Sequence, residues 1–239
     1  MRSLNAADIV TIWDRGQAMH PIDRALLLLT AALPEADPVD LQNLTIGQRN
    51  GRLLHLRQLT IGDELAALVN CPQCGATLEF SLTVSQLQRP EPTTTSYTII
   101  LEGQKWRLRL PTSADLSALL SSPTIDHARQ QLVARCVQPD AGQPASPTPT
   151  ASILAEIARS MAETDPQADM RFSLTCADCA HEWQSHFDVV AFFWAELAAQ
   201  ARRLLLEVHQ IARAYGWREP DILALSSRRR HLYLEMIGA

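Results

Sequence analysis

From Val190 to Tyr215 the apolar residues Phe193, Leu197, Ala201, Leu204, Val208, Ile211 and Tyr215 recur at alternating intervals of four and three. That spacing lays them along one stripe of a helix of about seven turns, at ~3.6 residues per turn. Gly216 supplies the C-terminal stop. A stripe of this width either packs into the protein's own core or meets a partner, and the first is the expectation. Shorter helices are predicted at 4–16 and at 21–33, where Pro21 takes the first helical position and the run Leu26 to Leu29 has to be buried on most sides. Pro34 and Pro38 break that helix. A third covers Ile46 to Leu59, with Leu53, Leu54 and Leu56 inward and Arg49, Arg52 and Arg57 outward. Further helices are read at 113–121, 125–137, 152–163, 219–225 and 227–237. Thr112 and Asp115 form a capping-box variant before the first of these, and Ser226 is the N-cap of the last. Ile153, Leu154, Ile157 and Met161 share one face of 152–163.

Where the period drops to two, strands are expected. Gly62-Asp63 turns into a strand over Glu64 to Asn70, and Tyr97 to Leu101 pairs with Trp106 to Leu110 as a hairpin joined by Glu102-Gly103-Gln104-Lys105. Trp106, Leu108 and Leu110 point inward, alternating with Arg107 and Arg109. The stretch 138–151, with four prolines, reads as an exposed linker.

Four of the five cysteines form two Cys-x-x-Cys pairs, Cys71/Cys74 and Cys176/Cys179. Each pair follows an apolar strand and precedes a turn and a second alternating strand. Leu78, Leu82, Val84 and Leu87 in the first copy line up with Trp183, Phe187, Val189 and Phe192 in the second. Two intervening residues let both thiolates of a pair face one side of a turn, and two such turns complete a tetrahedral site for one structural zinc ion. An ordinary ribbon places its pairs roughly 15–20 residues apart, so this is a zinc ribbon split in two, with Cys71, Cys74, Cys176 and Cys179 as ligands. A redox Cys-x-x-Cys would open a helix directly, and disulfides would need an oxidising compartment. His181 and His186 are potential substitute ligands but read as solvent-facing, and Cys136 reads as a buried apolar residue. Ala180 stands where many ribbons have Gly, leaving that turn feasible with slight strain.

Composition limits the functional classes. The net charge of −5 provides no global basic field for nucleic acid. Arg228-Arg229-Arg230 is the one basic run, read as a solvated helix face, with an acidic protein surface or RNA as the other reading. No phosphate loop, dinucleotide fingerprint, nucleophile elbow or His-Glu-x-x-His helix occurs, and four thiolates leave zinc no open position for water. A non-enzymatic protein is therefore expected. The first twenty residues carry Asp8 and Asp14 and no signal-like apolar core, so a cytoplasmic location is expected.

Several phrases occur together in order: Arg24 to Leu29; Leu44-Thr45-Ile46-Gly47-Gln48-Arg49 with Gly62-Asp63; Cys71-Pro72-Gln73-Cys74-Gly75; Arg109 to Leu116; Asp165-Pro166; and Ala214-Tyr215-Gly216-Trp217 leading to Ile222 to Leu225 and Arg228 to Arg230. With them the chain resembles a family of baseplate-hub assembly chaperones or baseplate proteins of T-even-type phages and phage-tail-like contractile injection systems. The resemblance implies an assembly or structural role through protein partners among baseplate, hub or spike components. It allows incorporation into a phage tail-like particle; no small-molecule substrate is expected, and no membrane, because the longest apolar run, Ala25 to Leu33, is broken by Thr30 and too short to span a bilayer. The alternative is a zinc-ribbon nucleic-acid-binding or transcription-related module using Arg107, Arg109 and Arg228 to Arg230. The expected fold is α+β and mostly helical. It comprises an N-terminal helical segment (1–61), two zinc-knuckle hairpins as ribbon halves (62–88 and 168–189), an inserted hairpin-and-helix region (89–167) and a C-terminal helical arm (190–239).

Overall fold

The computed structural model describes residues 1–138 and 149–238; ten residues of the expected linker 138–151 lie outside that range. In chain order the elements are α1 (Ala6–Gly16), α2 (Pro21–Ala32), α3 (Pro38–Gln42), α4 (Ile46–Thr60), β1 (Glu64–Asn70), β2 (Thr77–Thr83) and α5 (Val84–Leu87). There follow β3 (Ser96–Leu101), β4 (Gln104–Arg109), α6 (Ser113–Ala118), α7 (Ile125–Cys136), β5 (Val137–Gln138) and α8 (Ala151–Thr164). The chain continues through β6 (Arg171–Thr175), β7 (Glu182–His186), α9 (Val189–Tyr215), α10 (Glu219–Leu223) and α11 (Ser227–Gly238). The fold is α+β and predominantly helical, with small hairpins and a long C-terminal helix, as expected. Two compact units divide it: Met1–Glu35, Leu53–Asp63 and Val189–Ala239 in one, Ala36–Arg52 and Glu64–Asp188 in the other. No helix among the described residues is long and apolar enough to cross a membrane.

The first unit is built on α9. Its predicted stripe of Phe193, Leu197, Ala201, Leu204, Val208 and Ile211 is buried, while Tyr215 is exposed where the helix ends at Gly216, whose φ is +69°. α1, α2, α10 and α11 pack against this helix. Of the leucine run in α2, Leu28 and Leu29 are fully buried and Leu26 and Leu27 half-buried, because four consecutive positions sweep round the helix. Gly16 closes α1 against Trp194: a Cβ there would lie 2.3 Å from the indole. Arg24 donates to the Gly16 and Gln17 carbonyls at 2.9 and 2.8 Å, and its guanidinium stacks 4.5 Å over the same indole. One residue thereby caps the end of α1 and covers the ring that passes it.

Three arginines depart from the sequence expectation. Arg49, Arg57 and Arg230, read as outward or solvated, are each less than a tenth exposed. Burying a guanidinium requires partners for its donors, and each has them. Arg57 clamps Glu196 at 2.9 and 2.6 Å and donates to the Gly62 carbonyl at 2.6 Å. Arg230 reaches Glu207 at 2.7 Å and the Leu225 carbonyl at 2.6 Å. Arg49 is held by Asn50 at 3.1 and 2.8 Å and by Ser113 at 3.4 Å, and its burial lowers its pKa.

In the second unit Trp106 and Leu108 form a core with Ile153 and Ile157 of α8, in a three-stranded sheet of order β3-β4-β5. The β3–β4 connection is tighter than the four-residue loop expected: Leu101 pairs with Gln104, leaving only Glu102 and Gly103, at φ of +51° and +76°. Two positive φ values are what a type I′ turn needs to follow the strand twist.

Asp115 is the polar hub of this unit. Arg109 grips its carboxylate at 2.6 and 2.7 Å, Arg135 adds a bond at 3.1 Å, and the Thr112 amide donates at 3.0 Å within the predicted capping box. Burial raises the Asp115 pKa, but these donors outweigh it and hold the carboxyl well below the usual range. Asp165 likewise accepts from the Gly47 amide at 2.9 Å, so a carboxylate from a distant segment caps α4. A Cβ on Gly47 would lie 1.7 Å from its Oδ1, so no other residue fits there.

Two outcomes are expected. Glu196→Ala leaves Arg57 buried with one partner and should cost about 3 kcal/mol, read from the urea midpoint. Because the folded Asp115 pKa is depressed, its stabilisation is complete above the ordinary carboxylate value of about 3.9 and is lost as pH falls below it. Asp115→Asn should therefore lower stability at pH 7, and flatten the loss between about pH 4 and pH 2 in urea titrations.

Candidate metal centre

Each thiol pair sits on the turn of a two-stranded antiparallel hairpin. In the first, Glu64 to Asn70 pair in register with Thr83 to Thr77; in the second, Arg171 to Thr175 pair with His186 to Glu182. The turns repeat atom for atom. The Cys71 amide donates to Ala76 at 2.8 Å and the Gly75 amide to the Cys71 carbonyl at 2.9 Å; the Cys176 amide donates to His181 at 2.9 Å and the Ala180 amide to the Cys176 carbonyl at 3.0 Å. Beyond the hairpins the correspondence runs on, since α5 starts at Val84 and α9 at its counterpart Val189, both buried.

The hairpins meet in two places. At the strands, Phe80 packs edge-on against Phe172 with ring centroids 6.0 Å apart, and Phe172 packs against Phe187 at 5.5 Å. The register explains how: Phe80 stands opposite Ala67, while Phe172 stands opposite Ser185. The large residue is on the second strand of one hairpin and the first strand of the other, so the rings interleave across the join. Aligning the two copies by like residues misses this, because the matching positions carry unlike residues; the signal lies in the exchanged order of large and small.

At the turns the four sulfurs converge. Cys71 Sγ lies 3.7 Å from Cys179 Sγ, Cys74 Sγ lies 3.6 Å from Cys176 Sγ, and all four lie within 4.8 Å of one another. A tetrahedral ion bonded to thiolates at ~2.3 Å places its ligands ~3.8 Å apart, so the donor set can hold a metal ion of that kind. All five cysteines are free thiols. Cys71 and Cys176 are buried, Cys74 is exposed and Cys179 half-buried.

Amides aimed at sulfur favour thiolate. Burial raises the Cys71 thiol, but the Cys74 and Gln73 amides together with the neighbouring thiols bring it down to about 7. At Cys179 the His181 amide works the same way, yet burial and the other three thiols push it up to about 12. Four thiolates cannot coexist at these separations without a cation among them. A divalent ion removes that conflict, and a closed set of four leaves it no open coordination position.

The other sulfur and imidazole candidates stand apart from this cluster. His181 stacks on Trp183 at 5.9 Å, and His186 is exposed with Nε2 3.4 Å from Asp169. Cys136 is fully buried at the end of α7, and burial pushes its thiol up to about 11.

Residues 23–139 match the family model described as T4 bacteriophage base plate protein. The resemblance to a baseplate family of T4-like phages therefore holds over that stretch, which includes Cys71 and Cys74 and ends before Cys176. No curated protein and no solved structure matches the chain. Phrases that carried the resemblance are joined in the fold: Gly47 bonds Asp165, and Arg49 bonds Ser113.

Gly75 and Ala180 occupy the same turn position at φ of +76° and +57°. Only Ala180 carries a Cβ into the left-handed region, at a cost of about 1 kcal/mol. Ala180→Gly should therefore stabilise the fold by up to that amount and Gly75→Ala destabilise it similarly, measured by thermal unfolding at fixed metal content.

Proposed function

We propose that this protein is a non-enzymatic, zinc-stabilised assembly factor or structural component of the baseplate of a contractile phage tail-like injection system, acting through protein–protein contacts. The family match over residues 23–139 carries the baseplate reading. The convergence of four sulfurs within 4.8 Å supports zinc, since an all-thiolate tetrahedron is its usual structural site. Cys71, Cys74, Cys176 and Cys179 are its ligands in this reading, holding one ion.

The ribbon halves at 62–88 and 168–189 then act as one module, with 89–167 as an excursion between them and 1–61 and 190–239 as helical arms. Zinc binding supplies on the order of 10 kcal/mol in small domains, enough to make the module depend on it. The closed donor set suits a structural ion, and the function lies on surfaces that meet baseplate, hub or spike proteins in the cytoplasm or in the particle.

A nucleic-acid module is the weaker reading, because two of the arginines it needs are already engaged: Arg109 binds Asp115, and Arg230 binds Glu207. The chain's net charge of −5 opposes it as well.

Elemental analysis of anaerobically purified protein should give one zinc per chain. Cys176→Ser should lose the ion, and a strong chelator should abolish cooperative unfolding of the thiol-bearing unit. Co-expression with flanking tail genes should yield a complex containing a baseplate or hub protein. Metal-free protein with unchanged stability would sink the zinc reading; failure to bind any tail component would sink the baseplate reading.

A further inference from the structure

Outside its buried stripe, α9 carries a second face. Leu206, Gln210 and Arg213 follow one another at four and three residues, and with His209 and with Ile237 of α11 they line an open groove of about 430 Å³. Leu206 is 57 % exposed and Ile237 39 %. Leu232 and Met236 on α11 are also exposed, and Tyr233, one turn before Ile237, joins Tyr215 and Trp217 in a cluster with centroids 4.8 to 5.6 Å apart. Large apolar side chains gathered in this way mark an interaction surface rather than scattered exposure.

The C-terminal stretch that builds this face carries a net charge of opposite sign to that of the chain. Residues 202–238 hold seven arginines and four acidic residues in a protein of net charge −5. Arg230 is spent on Glu207, whereas Arg202, Arg203, Arg213, Arg218, Arg228 and Arg229 are exposed. A groove walled by Leu206 and Ile237 with the Arg213 guanidinium beside them, in a stretch of net positive charge, complements a helix with an aliphatic stripe and carboxylates along its flanks. Phosphate backbones would satisfy the arginines but leave Leu206, Met236 and Ile237 against water, and the acidic remainder of the chain would repel them.

We propose that the groove between α9 and α11 docks an acidic amphipathic helix of a partner protein, with the helix's aliphatic turn seated between Leu206 and Ile237 and a flanking carboxylate on Arg213. Calling that partner a baseplate component rests on the proposed function; the docking chemistry does not.

The test uses the full-length protein, with metal content measured on every sample. Fluorescence anisotropy compares three probes: a labelled helical peptide of about 20 residues with leucines at i, i+4 and i+7 and glutamates on its flanks, a scrambled peptide of identical composition, and a short DNA duplex. The amphipathic peptide should bind at least about tenfold more tightly than either control. Leu206→Glu and Arg213→Glu should each weaken it about tenfold or more, with unchanged circular dichroism. Should Leu206→Glu disturb the fold, Arg213→Ala, which only shortens an exposed side chain, supplies the second variant. Equal binding of the scrambled peptide, preference for DNA, indifference to the variants, or self-association of the protein through this face would each overturn the proposal. Zinc loss or absence of a tail partner with peptide binding intact would count against the proposed function alone.

Discussion

Four cysteine sulfurs brought within 4.8 Å of one another join two hairpins whose facing thiols are 102 and 108 residues apart in the chain. Each hairpin beneath them has only two strands, and a two-stranded hairpin is marginal on its own in water. The ring contacts of half-buried Phe80, Phe172 and Phe187 join the strands. At the turns, amides aimed at the sulfurs favour thiolate while crowding pushes the Cys179 thiol up to about 12, a conflict that a cation among the four would remove. The long excursion leaves from one of these hairpins and returns to the other.

Elsewhere the fold relies on charged side chains gripping backbone or carboxylate, both within a turn and across more than a hundred residues. Asp165 caps α4 through Gly47, Asp115 gathers Arg109, Arg135 and Thr112, and Arg57 clamps Glu196. Each is buried or half-buried, so each is strong only while its full set of partners is present. Apolar burial brings the segments together, and these polar ties determine which arrangement is kept.

Much was legible in the sequence because it depends on local rules. The stripe of α9, the capping box of Thr112 and Asp115, the stop at Gly216 and the inward alternation of Trp106, Leu108 and Leu110 follow from periodicity and backbone chemistry. The paired thiols and their repeated flanks announced a split site, since two-residue spacing has few other uses beside such strands. The tight β3–β4 turn was missed, although Glu102-Gly103 supplied the residues for it, because the longer loop left the strand pattern equally plausible.

What only the tertiary structure decided concerns partners far apart in the chain. Arg49, Arg57 and Arg230 look like surface residues by type, and nothing local reveals that Ser113, Glu196 and Glu207 meet them away from solvent. The interleaving of Phe80 with Phe172 needs the register of both hairpins at once. The sequence alone determined most of the elements and the pairing of the thiols on two turns, because helix period, turn chemistry and thiol spacing act over a few residues. Which charges could be buried and how the four sulfurs met were decided in three dimensions, because desolvation and coordination depend on every neighbour within a few ångströms, whatever its place in the chain.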